Sequence, residues 1–228
     1  MSRDRSSRGL VRAARWLLVG VGAFYSLFAL AIAAQTAAAL LGLAEASQTR
    51  AAPPLFVAHG VTGSVALLAA AIQLGLLATP PPPRQRRAHR ALGRGYVVAA
   101  VLTSVLSVPV VAAFDVAPAA KAAFLLEAVL WLATTTTAFA YIRVGHIERH
   151  REWMMRSFAF AAFFVTFSVW DPALAALPLP PDTAFAGAVL LGWLVNLVVA
   201  EIWIRRTRAI PPSMRRPALG AEPERSQR

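Results

Sequence analysis

The sequence predicts an all-α membrane protein, a six-transmembrane-helix bundle with its N-terminus and C-terminus both on the cytoplasmic side. Three observations carry that prediction. Of 228 residues, 57% are hydrophobic and only 15% charged, whereas a soluble domain carries about a quarter charged residues. Several apolar runs approach or exceed the roughly 20 residues that a helix needs to cross the hydrocarbon core. The positive charge is also confined to alternate loops and tails, which is how membrane orientation is encoded.

The elements follow in order. Residues 1–15 hold Arg3, Arg5, Arg8, Arg12 and Arg15 among serines and a glycine, a mobile basic lead on the cytoplasmic side. Trp16 to about Ala44 is the first span. Ala31-Ile32-Ala33 weakly resembles a signal-peptidase site, but the apolar run continues past it, so an uncleaved helix is expected. A polar loop, Glu45–Pro54, leads to a second span from about Leu55 to Ala78. Pro80–Pro83 then stop the helix. The third span is Tyr96 to Phe114, with a bend expected at Pro109. Lys121 to Ile142 is the fourth, Ser157 to Trp170 the fifth, ended by Asp171-Pro172, and Ala184 to Ile204 the sixth. From Arg205 to residue 228 the chain reads as a basic, disordered cytoplasmic tail. The transmembrane domain is thus 16–204.

Counting Lys and Arg tests this parse. The two tails and the second and fourth loops hold 21 of the 23. The positive-inside rule therefore puts both termini in the cytoplasm of a bacterial-type plasma membrane. Placed beside spans in this way, the net charge of +12 points to the anionic lipid of the cytoplasmic face and away from nucleic acid. With no cysteine, disulfides, thiolate metal sites, iron–sulfur clusters and cysteine nucleophiles are excluded. Gly20, Gly22, Gly60 and Gly63 allow close helix packing.

Two polar islands interrupt the apolar chain. His146–Arg156 holds His146 and His150, and the stretch from His89 to Tyr96 holds His89 with Arg90 and Arg94. One reading is a b-type haem. Two imidazoles from different segments would clamp the iron and arginines would meet the propionates. On a continuous helix His146 and His150 share a face, so one of them would pair with His89, beside Arg87, Arg90 and Arg94. A second reading is a metal held by His89, His146 and His150, three nitrogens as in catalytic zinc sites, with Glu148 and Glu152 as further ligands or bases. No glutamate directly follows the first histidine, so the zincin pattern is absent. The plainest reading is structural: interfacial anchors, a Trp153 in the aromatic belt, and i,i+4 pairs Glu152–Arg156 and Glu201–Arg205.

Inside the spans the ionisable residue Glu127 stands out, because such groups face a partner or a cavity. By helix rise it lies about 9 Å below the outer boundary and His59 about 6 Å below. A His59–Glu127 pair could relay protons, hold a quinone head group or join two helices. Gln73 and Asn196 read as interhelical hydrogen-bond glue, and Thr134–Thr137 as hydroxyls bonded to their own helix.

Taken together, His59 and Gln73, His89-Arg90 with Gly93-Arg94 and Tyr96, Trp131 with the threonine run, Ile142-Arg143, and His150-Arg151-x-Trp153-Met154-x-Arg156-Ser157 resemble a known pattern. It is that of the uncharacterised multi-pass membrane-protein family called domain of unknown function 2306, over roughly residues 55–170. The resemblance implies a membrane fold and motif positions, and no activity. That family usually has an arginine about three turns after the Arg156 position, where this chain has Thr166-Phe167-Ser168. The six spans also loosely resemble the cytochrome b561 class, which implies paired histidine ligands near each membrane face. Here the outer half offers only His59, so at most one cytoplasm-side haem fits. Two functions follow as expectations: a membrane redox component with one such haem, exchanging electrons with quinone, or a non-enzymatic transporter or scaffold around His59 and Glu127.

Overall fold

The structure is a computed structural model, and it describes residues 2–41, 53–77 and 83–208. Among them there is no strand, and seven helices follow one another: α1 Ser2–Leu40, α2 Pro53–Leu77, α3 Pro83–Ala113, α4 Pro118–Arg143, α5 Ile147–Ala161, α6 Phe163–Ala175 and α7 Pro181–Arg208. Among the described residues five helices are long and apolar enough to cross a membrane, and α5 with α6, bent by 42°, makes a sixth candidate. Most of the loop between the first two spans, the prolines at 80–82 and the tail beyond residue 208 lie outside the described residues.

Proline opens α2, α3, α4 and α7. At a first helical position its fixed φ suits the helix and its missing N–H is not needed. Between α4 and α5 the chain turns at Gly145, whose φ of +80° a side chain would strain. Successive helices run antiparallel and pack as neighbours from α1 to α4. The α5/α6 pair then lies against α4 and α2, and α7 closes on α4, α5 and α6. The core seam is built largely of alanine, including Ala66, Ala69, Ala70, Ala99, Ala100 and Ala138. Small residues let helix backbones approach where lipid gives no hydrophobic drive to associate. Gly22 shows the limit: a β-carbon there would collide with that of Ala71. The outer face of α1 carries exposed Trp16, Leu17, Phe24 and Leu27, as a lipid-facing surface should.

Several boundaries differ from the sequence reading. The basic lead is helical from Ser2, continuous with the first span. Arg84–Arg94 belong to α3, which also runs through Pro109 as one helix. Nearly all of the larger polar island is likewise helical, since α5 starts at Ile147. Pro172 does not end its helix; it lies inside α6. The interruption comes earlier, at Ala162 (φ −80°, ψ 0°), in an unbroken apolar run.

A helix break inside a membrane frees backbone groups that no water reaches. Here α7 supplies the remedy. Asn196 Nδ2 donates to the carbonyl of Ala159 at 3.1 Å, on the α5 side of the break, and to Thr166 Oγ1 at 2.9 Å on the α6 side. Thr166 Oγ1 in turn donates to Gly192 O at 2.5 Å. Gly192 lets α6 come this close, because a β-carbon there would stand 3.0 Å from the Phe163 ring. The sequence expectation for Asn196, glue between helices, thus gains a specific role.

The ion pairs also differ from the local ones expected. Arg156 forks onto Glu201 across helices, Nε to Oε1 at 2.5 Å and Nη2 to Oε2 at 3.2 Å. Glu152 is taken by Arg208, with Arg149 at 3.6 Å. Both i,i+4 pairs are replaced because α5 and α7 lie side by side here, so each carboxylate meets the other helix's arginine. Replacing Asn196 with Leu should leave the Ala159 carbonyl without its partner and cost about 1–3 kcal/mol. The expected readout is an apparent melting temperature in detergent lower by roughly 2–10 °C, with Thr207→Val, on the exposed end of α7, unchanged.

Candidate functional site

The hydrogen bonds sort the helix ends into two groups. Arg15 of α1 bonds the Gly75 carbonyl of α2, Gln73 of α2 bonds His89 of α3, and His150 of α5 bonds Ala138 of α4. These, with the α5–α7 ion pairs, define a basic end. At the opposite end Phe56 meets Phe114 edge to face, with ring centroids 6.2 Å apart. Lys121 there bonds the Ala112 carbonyl at 3.2 Å.

Between the middle of the bundle and that opposite end lies a cavity of about 450 Å³, within the roughly 300–1,000 Å³ usual for small-molecule sites. Its wall is aromatic: Phe114, Phe124, Trp131, Phe160, Phe163, Phe164, Phe167 and Phe185 all contribute. The α5/α6 break brings four of these phenylalanines to it. His59, Glu127 and Asp171 supply its titratable groups.

Glu127 and His59 therefore share a cavity, yet they do not form a hydrogen-bonded or ion-paired couple. His59 Nδ1 lies 3.3 Å from the Thr103 carbonyl, which can only accept, so Nδ1 carries the proton. In the neutral ring Nε2 is then an acceptor. Glu127 is only 7% exposed, and among the described residues its carboxyl makes no hydrogen bond and no ion pair.

On the basic-end side of the cavity a buried network joins three helices. Trp131 Nε1 donates to the Tyr96 hydroxyl at 3.1 Å. Tyr96 and Thr135 each lie 2.6 Å from Ser157 Oγ. Tyr96, Ser157 and Thr135 are fully buried. Thr134 and Thr136 bond their own helix, as expected, but Thr135 crosses to α5. The sequence reading missed this network, although Tyr96, Trp131 and Ser157 all belong to the motif residues. A spacing of four between Trp131 and Thr135 was the available signal.

The histidines of the islands are only partly brought together. His89 and His150 lie close enough for their charges to interact. His150 Nδ1 is held by the Ala138 carbonyl at 2.8 Å, which leaves its other nitrogen free to accept. His146 is elsewhere. It precedes α5 rather than standing on it, is exposed, and rests edge to face against Tyr141. Among the described residues no three His, Asp or Glu side chains converge to hold a metal, so the expected His89–His146–His150 triad is not assembled. Arg87, Arg90 and Arg94 are exposed on α3. Gln73, 2% exposed, donates to His89 O at 2.8 Å, while its own carbonyl oxygen and His89 Nδ1 are buried without a partner.

Fold and cavity together define a polytopic helical membrane protein with an aromatic-walled pocket inside its span region. The chain belongs to the family described as Predicted membrane protein (DUF2306), whose model matches residues 56–204. The match takes in most of α7, beyond the stretch that carried the resemblance in the sequence, and every residue of the hydroxyl network. Of the stretch Thr166-Phe167-Ser168, Thr166 serves the helix break and Ser168 meets the Tyr25 hydroxyl at 2.7 Å. No curated protein and no solved structure matches the chain.

Proposed function

We propose that this protein binds a small membrane-soluble molecule in the cavity around Glu127 and His59, and carries it as a non-enzymatic transporter. The observation behind this reading is an unpartnered carboxyl, buried in the span region and facing a cavity of ligand size. A polar group in that setting normally has a protein partner, and where it lacks one it marks a pathway or a site. The α5/α6 break adds weight, since interrupted spans are where transporters build midplane sites.

Orientation belongs to the same reading. The charge pattern supports six spans with α5 and α6 as one, both termini cytoplasmic and the basic end against anionic lipid in a bacterial plasma membrane. The cavity then lies in the outer half. Because the chain has no cysteine, single cysteines report topology cleanly. Leu177→Cys should react with an impermeant maleimide in intact cells, and Val144→Cys, in the exposed α4–α5 turn, only after permeabilisation. The reverse pattern contradicts the orientation.

The redox alternative has less beneath it. A haem between His89 and His150 gains from the fixed His150 ring. His89, however, lacks the Nδ1 partner that orients a ligand imidazole, and the arginines meant for propionates lie on the exposed surface. Replacing Ala29, on the cavity wall, with Trp should fill the site. An organic extract of the purified wild-type protein should then contain a small molecule, at roughly one per chain, that the filled variant lacks, with no reduced-minus-oxidised b-type band in either. Identical extracts contradict the cavity reading, and a b-type band lost in His150→Ala restores the redox one.

A further inference from the structure

The chemistry of the cavity wall restricts what can bind there. We infer that the ligand is an organic cation, an ammonium group on an apolar, ring-bearing body; this rests on the cavity reading above and adds the ligand's class.

Consider first the donors. Ser107 donates to the Thr103 carbonyl at 2.9 Å, Thr103 to Ala99 O at 2.8 Å and Ser64 to Gly60 O at 2.7 Å. Trp131 N–H is used by Tyr96, and the His59 Nδ1 proton by Thr103 O. Every side-chain donor among the described lining residues is thus engaged within the protein. What remains open to the cavity is a set of acceptors: His59 Nε2, the Glu127 carboxyl and the Asp171 carboxyl. A quinone offers carbonyl oxygens, which are acceptors too, so on this wall only a protonated Glu127 carboxyl could donate to it. A group that donates several hydrogen bonds fits the wall.

Charge points the same way. Among the described lining residues there is no lysine or arginine, and Lys121, about one turn before the lining residue Phe124 on α4, is bonded to the Ala112 carbonyl. Two carboxyl groups therefore face the cavity with no protein cation between them. A ligand ammonium would supply the missing counter-charge. The aromatic wall adds to this, because ring faces attract cations more strongly in a desolvated site. Glu127 is the primary anchor, being 7% exposed and unpartnered. Asp171, half-buried and one turn beyond Phe167 on α6, is the second carboxyl on the wall.

The test uses one hydrocarbon body with two opposite heads: 4-phenylbutylammonium and 4-phenylbutyrate, with menadione as the acceptor-only quinone. Binding is measured calorimetrically to the full chain in lipid nanodiscs, with empty nanodiscs subtracted. The ammonium should bind at least about tenfold more tightly than the carboxylate or the quinone, a difference of about 1.4 kcal/mol. Glu127→Gln, which keeps the volume and removes the charge, should abolish that preference, whereas Glu148→Gln at the exposed start of α5 should not. Selectivity in the wild-type protein is decisive even if Glu127→Gln does not fold. Tighter or equal binding of the carboxylate or quinone overturns the cation assignment and leaves the cavity as a site. Ammonium binding unaffected by Glu127→Gln overturns it as well, as adsorption elsewhere. Binding of none of the three overturns both the assignment and the cavity reading.

Discussion

A polar group within a bilayer has to find its partner inside the protein, and this constraint organises the whole molecule. Hydroxyls meet it locally: Ser26, Thr36 and Thr62 each bond a carbonyl one turn back on their own helix. Amides meet it between helices, as Gln73 and Asn196 do. Arg156 and Arg208 at the basic end meet it by reaching across to carboxylates on a neighbouring helix. Each contact between helices also fixes which of them are neighbours.

The break at Ala162 is the most demanding case. Interrupting a span would be costly if its carbonyls stayed bare in hydrocarbon, yet here Asn196, Thr166 and the absent side chain of Gly192 make it a stable feature. Its consequence is local. The bend turns Phe160, Phe163, Phe164 and Phe167 toward the centre of the bundle, where they form the wall of the cavity. The same α7 that stabilises the break closes the far side through Phe185. Against this background the Glu127 carboxyl and His59 Nε2, each without a partner, are conspicuous because they face the same space.

Much of the fold was legible in the sequence, because burial in lipid leaves a one-dimensional trace. Apolar runs of sufficient length and the segregation of arginine mark spans, loops and the polar islands between them. What depends on another helix was not legible. The break falls in Ala159-Phe160-Ala161-Ala162-Phe163, which contains no glycine or proline, and its cause lies about 30 residues further on, in Gly192 and Asn196. Pro172 gave the opposite signal and lies within a helix. Ion pairs were read at i,i+4 because that is the partnership a lone helix shows, whereas Glu152 and Glu201 choose arginines across the α5–α7 interface. At the site, Glu127 and His59 were identifiable by their cost at depth, but whether they bonded each other or shared a cavity depended on their surroundings. His146 stands at the edge of α5 for a local reason: the helix that carries His150 begins one residue later, at Ile147.

The binding role proposed for this protein depends on Glu127 being held in the span region without a protein partner, facing a space meant for a ligand. A cryo-electron-microscopy map of the full chain, extracted directly from its membrane into nanodiscs, tests this most directly. Non-protein density is expected in the aromatic cavity, within about 4 Å of the Glu127 carboxyl as charge-assisted contact requires. A map with Glu127 bonded to an arginine, lysine or histidine of the protein and the cavity closed by side chains would contradict it.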